Sequence, residues 1–249
     1  MTELNDLLLI ILIGLLSGVA NVFAEGGSIL ALPALILLGL PSAVANGTNR
    51  LALFVLNLFA LKTFYNRDRV EFKKSVWMAL FAVAGAILGA FGALMISDQT
   101  FNAALGVSLL VVAISMYMQP TDDLAPFASG APPIWAVVVS MFAIGFYGGF
   151  IQSGVGLFLM IALSALFHSD EIKKSIHKIS VVFAYLFPTS LIFLWTDNVE
   201  WSASLALLVG YMIGHWLATT AFIKRLERVL RVIMVISIVL MSLKLLRVF

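Results

Sequence analysis

The chain has 249 residues, of which 62% are hydrophobic and only 11% charged, with a mean hydropathy of +1.08. Soluble domains hold about 45–50% apolar and about 25% charged residues, so the solvent for this fold is lipid; at about 20 apolar residues per crossing the chain supplies roughly eight to ten membrane elements and no soluble catalytic domain. The net charge of +2 is spread over short loops, which points away from a nucleic-acid partner, and the lack of cysteine excludes disulfides, thiolate catalysis and cysteine-ligated metals.

Apolar runs predict membrane elements at about 5–24, 27–40, 43–65, 75–97 and 100–119, then 133–152, 154–167, 173–196, 200–223 and 229–248. The first run is preceded by Glu3 and Asp6 and by no base, unlike a secretion signal, and is read as a retained membrane element. Runs two and seven hold only about 14 residues, too few for a perpendicular crossing, which predicts broken or re-entrant helices. Pro120, Pro126, Gly130 and Pro132 mark 120–132 as a linker between a first transmembrane repeat, 1–119, and a second, 133–249, in one transporter-like domain. The expected fold is therefore an all-α polytopic membrane protein built from two repeats of about five segments.

Small residues and charges relate the two halves. Gly14-Leu-Leu-Ser-Gly18 stands 131 residues before Gly145-Phe-Tyr-Gly-Gly149, and Gly85, Gly89 and Ala93 stand 125 before Gly210, Gly214 and Ala218. Such stripes predict close-packing faces between repeats or between subunits of a homodimer. Bases gather in three connections: Lys62, Arg67, Arg69, Lys73 and Lys74; Lys173, Lys174 and Lys178; and Lys224, Arg225, Arg228 and Arg231. Counting crossings puts all three on one face, the cytoplasmic one, with Asp98, Asp197, Glu200 and both termini outside. Equivalent loops of the two halves carry opposite charge, the pattern of an inverted repeat, and substrate sites in such folds lie near the midplane between the repeats.

Three polar breaks interrupt the apolar runs. In Asn21-Val-Phe-Ala-Glu25-Gly-Gly-Ser28 a carboxylate beside Gly26 and Gly27 is costly in lipid unless it faces a polar cavity, the plainer alternative being a solvated turn. Its counterpart, Gln152-Ser153-Gly154-Val-Gly156, offers hydrogen-bonding groups that serve either a ligand or helix packing. Asn46-Gly-Thr48-Asn49-Arg50 is matched 128 residues later by Lys174-Ser-Ile-His177-Lys178, each placing a cation near a helix start, where an anion is favoured. Arg50 lies against the topological preference for bases and is the leading anion-binding residue; Lys174 and Lys178 are also explained by positive-inside topology. His168 and His215 lack ligand-spaced partners, and no phosphate loop or nucleophile constellation is present, so neither metal nor cofactor is implied.

With those residues in view, the chain resembles the TauE/SafE family of sulfite exporters. The resemblance is carried by Gly14-Leu-Leu-Ser-Gly18, Glu25-Gly-Gly-Ser28, Leu32-Pro33-Ala34-Leu35, Leu38-Gly39-Leu40-Pro41 and Gly47-Thr48-Asn49-Arg50. The last of these commonly reads Gly-Thr-Asn-Lys in the family, so Arg50 departs from it while keeping the charge. The second half matches through Gly145-Phe-Tyr-Gly-Gly149 with Gly154 and Gly156, and more loosely at His177-Lys178. The resemblance implies an inner-membrane permease for sulfite, sulfonates or related organosulfur anions, coupled to an ion gradient. Asn49, Arg50, Gly26, Gly27, Ser28, Gln152, Ser153, His177 and Lys178 would then bind substrate, with Glu25 as the coupling-ion candidate. The competing readings are an anion channel and a structural subunit of a larger membrane complex; a channel would need polar residues along a pore rather than one midplane cluster.

Overall fold

The computed structural model describes residues 4–23, 28–67, 69–118, 132–167, 171–218 and 227–247, and these form ten α-helices and no strand. In chain order they are α1 (Leu4–Phe23), α2 (Ser28–Leu37), α3 (Ser42–Arg67), α4 (Arg69–Met95), α5 (Asp98–Met118), α6 (Ile134–Phe150), α7 (Val155–Leu166), α8 (Glu171–Trp195), α9 (Trp201–Ala218) and α10 (Glu227–Leu245). Each predicted run contains one helix. Glu25, Gly26, Gly27, His168, Lys224 and Arg225 lie outside the described residues, as does the predicted linker apart from Pro132.

Six of the helices, α1, α3, α4, α5, α8 and α9, are long and apolar enough to cross a bilayer. By contrast α2 and α7 have 10 and 12 residues, or about 15 and about 18 Å of helix, roughly half of a hydrocarbon core about 30 Å thick. Two predicted boundaries are corrected. The first basic connection is mostly helix, since α3 runs on to Arg67 and α4 begins at Arg69 rather than near 75. Hydropathy registers only the lipid-embedded part of a helix, and the charged turns that project beyond it are invisible to it.

Side-chain placement is inside-out relative to a soluble protein. Large apolar residues such as Leu8, Leu12 and Leu16 on α1, and Val107, Val111 and Ile114 on α5, are exposed, while Ser17, Asn46, Thr48, Asn49, Arg50, Ser153 and Thr189 are buried. In lipid an outward leucine costs nothing, and helix association rests on close packing and interior polar contacts instead.

The helix pairs repeat with the halves exchanged. α1 packs on α9 and α6 packs on α4, while α3 meets α8 and α5 meets α10. The glycine stripes make the first two contacts. A methyl group on Gly14 would lie 2.5 Å from the Leu207 carbonyl oxygen and on Gly18 equally close to that of Tyr211, while on Gly210 and Gly214 it would strike Ile11 and Leu15. On Gly85 and Gly89 it would strike Phe142 and Phe146, and on Gly145 and Gly149 the backbone of Ala82 and Ala86. Both predicted stripes thus pack between helices of one chain. In both pairs the register ascends together, so α1 runs parallel to α9 and α6 parallel to α4.

One end of the bundle is tied by three contacts to the start of α3. The Ser42 N–H donates to Asp98 Oδ1 at 3.0 Å, the Glu200 N–H donates to Thr48 Oγ1 at 2.9 Å, and Gly47 leaves room for the Asn198 carbonyl. The acidic connections α4–α5 and α8–α9 therefore share this end. The start of α1, parallel to α9, points to it as well.

Candidate functional site

The second and third turns of α3 carry the site, and each residue of the Gly-Thr-Asn-Arg segment has a separate task. Gly47 and Thr48 hold the α8–α9 connection against α3 as described above. Asn49 accepts a hydrogen bond from the Tyr211 hydroxyl of α9 through Oδ1 at 2.7 Å. Arg50 is wholly buried and donates from Nη1 to Thr189 Oγ1 on α8 at 2.9 Å and from Nη2 to Asn46 Oδ1 at 3.1 Å. The same Nη2 reaches the carbonyls of Gly148 at 3.1 Å and Gly149 at 2.9 Å, and the guanidinium carbon stands 4.9 Å from the centre of the Phe193 ring.

Those two carbonyls belong to the last turn of α6, whose next carbonyl, Phe150, accepts from Asn46 Nδ2 at 2.8 Å. The final carbonyls of a helix have no intrahelical donors and carry the negative end of its dipole. Asn46 and Arg50 therefore close the end of α6 inside the bundle. This corrects the expectation that the cation sits beside free N–H groups at a helix start: Arg50 is the ninth residue of α3, past the turn with unpaired donors, and it faces carbonyls instead. Among the described residues no carboxylate pairs with it.

The two other polar breaks meet each other. The Ser28 hydroxyl, at the start of α2, donates to the Gln152 carbonyl at 2.9 Å, and the Ser153 hydroxyl donates to the Ser28 carbonyl at 3.3 Å. The chain turns here through left-handed backbone at Gln152, with φ 69°, and at Gly154, with φ 76°. Such a conformation is costly for glutamine and cheap for glycine. The Tyr147 hydroxyl donates to the Ser153 carbonyl and braces the turn. The beginnings of two short helices, one from each half, are thus brought together where α6 ends on Arg50.

Around this junction several buried polar atoms have no partner: Arg50 Nε, Asn49 Nδ2, Gln152 Oε1, and the hydroxyls of Tyr185 and Ser190. Tyr185 lies within electrostatic reach of Arg50 and beside Gln152, but not at bonding geometry. Its ring packs over Gly148, where a methyl group would come 3.1 Å from Cζ. An unpaired buried donor costs about 1–3 kcal/mol, so a group of them is expensive unless something completes it.

Of the sequence-predicted residues, the structure gathers Asn49, Arg50, Ser28, Gln152 and Ser153. His177 and Lys178 are elsewhere: His177 precedes Thr189 by twelve residues of α8, about 18 Å of helix, and contacts Glu71 and Ser75 at the start of α4. Lys178 lies within electrostatic reach of His215 on α9. Sequence reasoning passed over Thr189, Tyr185 and Tyr211 as site residues. The signal available was Pro188-Thr189-Ser190, a polar interruption inside an apolar run.

A profile described as sulfite exporter TauE/SafE matches residues 8–245. This chain belongs to the TauE/SafE family. The TauE/SafE chain is 25% identical to a "probable membrane transporter protein ORF9" of a Sinorhizobium species, over 93% of its own length and 88% of that protein's. It is also 25% identical to a probable membrane transporter protein of Haemophilus influenzae over 96% and 94% of the two chains. With the probable membrane transporter protein YfcA of Escherichia coli K12 it shares 23% over 94% and 87%. No solved structure matches it. As a TauE/SafE permease it is a multi-pass membrane transporter, and its Gly47–Arg50 segment ties both halves together through α6, α8 and α9.

Proposed function

We propose that this permease carries a small, singly charged sulfur oxoanion, hydrogen sulfite or an organic sulfonate, by alternating access coupled to an ion gradient. The observation that carries the reading is a wholly buried guanidinium without a carboxylate partner among the described residues, next to unused donors on Arg50 Nε and Asn49. A buried charge is stable only when compensated. Carbonyl dipoles from α6 supply part of that compensation, and one negative charge on a ligand supplies the rest. A dianion would leave an excess negative charge in the same low-dielectric surroundings, which disfavours sulfate.

In this reading Arg50 and Asn49 hold the oxygens, Ser28, Gln152 and Ser153 line the opposing side, and Gly26 and Gly27, between α1 and α2 in the sequence, add backbone donors. Glu25 of the same segment is the coupling-ion candidate. His177 and Lys178 act at a distance from the anion, on the basic end of α8. The exchanged pairs α1–α9 and α6–α4 support an inverted repeat, since α9 starts and α4 ends at the acidic end of the bundle, so that α1 leaves that end while α6 approaches it. With the bases facing the cytoplasm of a cell whose inner membrane holds the protein, both termini lie outside.

The test is flux of labelled sulfite and of methanesulfonate into proteoliposomes holding the purified chain or its Arg50→Gln form. Flux in the parent and a loss of about 100-fold or more in the variant is expected, as for removal of a charge-assisted contact. Equal flux in both forms, with the variant folded by thermal melt, removes Arg50 from the substrate site.

A further inference from the structure

A second buried polar cluster lies at the other end of α8. His177 is 5% exposed and Glu71 9%, both inside the contact of α8 with α4 and hence between the two halves. His177 Nδ1 lies 2.8 Å from Ser75 Oγ, and Nε2 lies 3.2 Å from Glu71 Oε2. The other carboxylate oxygen, Oε1, accepts from Lys74 Nζ at 2.8 Å. Ser75 has a single proton, and its hydroxyl donates to the Glu71 carbonyl at 2.9 Å.

The proton inventory of this arrangement is decisive. With the serine proton directed at the Glu71 carbonyl, the Nδ1–Ser75 contact is a hydrogen bond only if Nδ1 carries a proton. The Nε2–Glu71 contact is one only if Nε2 carries a proton as well. A neutral imidazole holds one of the two. If the proton is on Nδ1, the bare Nε2 faces a carboxylate oxygen. If it is on Nε2, Ser75 must turn from its own helix to donate to Nδ1. Only the imidazolium makes these three contacts at once, and it adds an ion pair with Glu71.

We propose that His177, with Ser75 and Glu71, is a proton-binding site of this permease, and that the bound proton fastens α8 to α4. The neighbouring charges set its strength: Lys74 shares Glu71 on α4, Lys173, Lys174 and Lys178 lie on the same stretch of α8, and His215 faces Lys178 from α9. Phe167, at the end of α7, also packs here, its ring centre 6.2 Å from the imidazole. α8 also carries Thr189, which holds Arg50, next to Pro188 inside the same continuous helix. A change at the His177 end therefore bears on the anion site through one helix.

The site can be tested without any substrate, so its failure is distinct from failure of the transport reading. Cysteines placed at the exposed positions Val76 on α4 and Ile172 on α8, in a chain with no other cysteine, take spin labels for distance measurement in nanodiscs. Between about pH 5 and about pH 8, on either side of the usual histidine range, the parent should pass from one short, narrow distance to a longer or broader distribution. His177→Gln should remove that pH response. Ser75→Ala, a mild change that strips the Nδ1 acceptor and so weakens the imidazolium, should move the midpoint to lower pH. A parent distance that ignores pH, a response that persists in His177→Gln, or an unmoved midpoint in Ser75→Ala would each overturn the proposal.

Discussion

Asn49-Arg50 and His177-Lys178 stand 128 residues apart at matching places in the two halves, yet the fold uses them in opposite ways. The Arg50 end places a permanent cation against carbonyls and hydroxyls, with no carboxylate among the described residues. The His177 end places a titratable ring against Glu71. A guanidinium keeps its charge at any physiological pH, whereas imidazole changes charge within it. The difference teaches that similar position along the two halves of the sequence does not decide what compensates a residue's charge. One end is short of a negative charge and the other already has one.

The sharpest way to break this contrast is to give the first end what the second possesses. Asn49→Asp keeps the oxygen that accepts from Tyr211 but replaces the unpartnered Nδ2 with negative charge beside Arg50. It should leave the fold intact, as judged by thermal melt in detergent, and reduce sulfite flux by about 100-fold or more, because the arginine is then neutralised from within. Retained flux in this variant would mean that Arg50 needs no outside anion.

Arg50→Lys retains the charge and gives up the planar fork that spans Thr189, Asn46 and the α6 carbonyls. Flux should fall about 10-fold and stability by about 2–3 kcal/mol, as expected where a multidentate site receives a point charge. A lysine variant that matches the parent in both would reduce Arg50 to a generic cation.

Tyr185→Phe is a smaller and more discriminating change. Its hydroxyl has no hydrogen-bond partner, so the melting temperature should hold or rise slightly. If the hydroxyl donates to the transported anion, the apparent affinity for sulfite should drop by about 5- to 10-fold, measured as KM in a flux series. Unchanged KM assigns the hydroxyl to packing alone.

The least effect is expected at the tie between α3 and the α8–α9 connection. Thr48→Val removes the acceptor of the Glu200 N–H and should cost about 1 kcal/mol, read as a modest fall in melting temperature. Flux per folded protein should stay within about 2-fold, since Thr48 faces away from Arg50 and its donors. A large flux defect would extend the site to that connection.

The helices were legible because lipid imposes a length and a hydropathy on every crossing, and all ten apolar runs contain one. The ends of α3 and α4 were not, because charged turns continue the helix beyond the apolar part. Arg50 was legible because a lone base in an apolar run is costly. Its partners were not: carbonyls of Gly148 and Gly149 leave no trace in the identity of a side chain, Tyr185 is ordinary within a membrane helix, and the polar step Pro188-Thr189-Ser190 marks α8 without revealing that it meets Arg50. The glycine stripes were visible as packing faces, but their exchanged pairing needed three dimensions. His177 was seen as a polar residue near a helix start; Glu71, its partner, is over one hundred positions earlier and carried no signal of its own.

That exchanged pairing also governs how the protein is made. The face of α1 bearing Gly14 and Gly18 has its counterpart on α9, at Gly210 and Gly214. At about 5–20 residues per second a ribosome takes about ten to forty seconds to reach the second from the first. Throughout that interval a narrow groove of bare helix backbone waits in the bilayer with its match still unsynthesised. Gly85 and Gly89 wait far less time for α6. Biogenesis of this protein thus includes a long and a short delay, and the vulnerable stage is the nascent first half, in which α1 has α2 beside it but lacks its main partner until α9 is made.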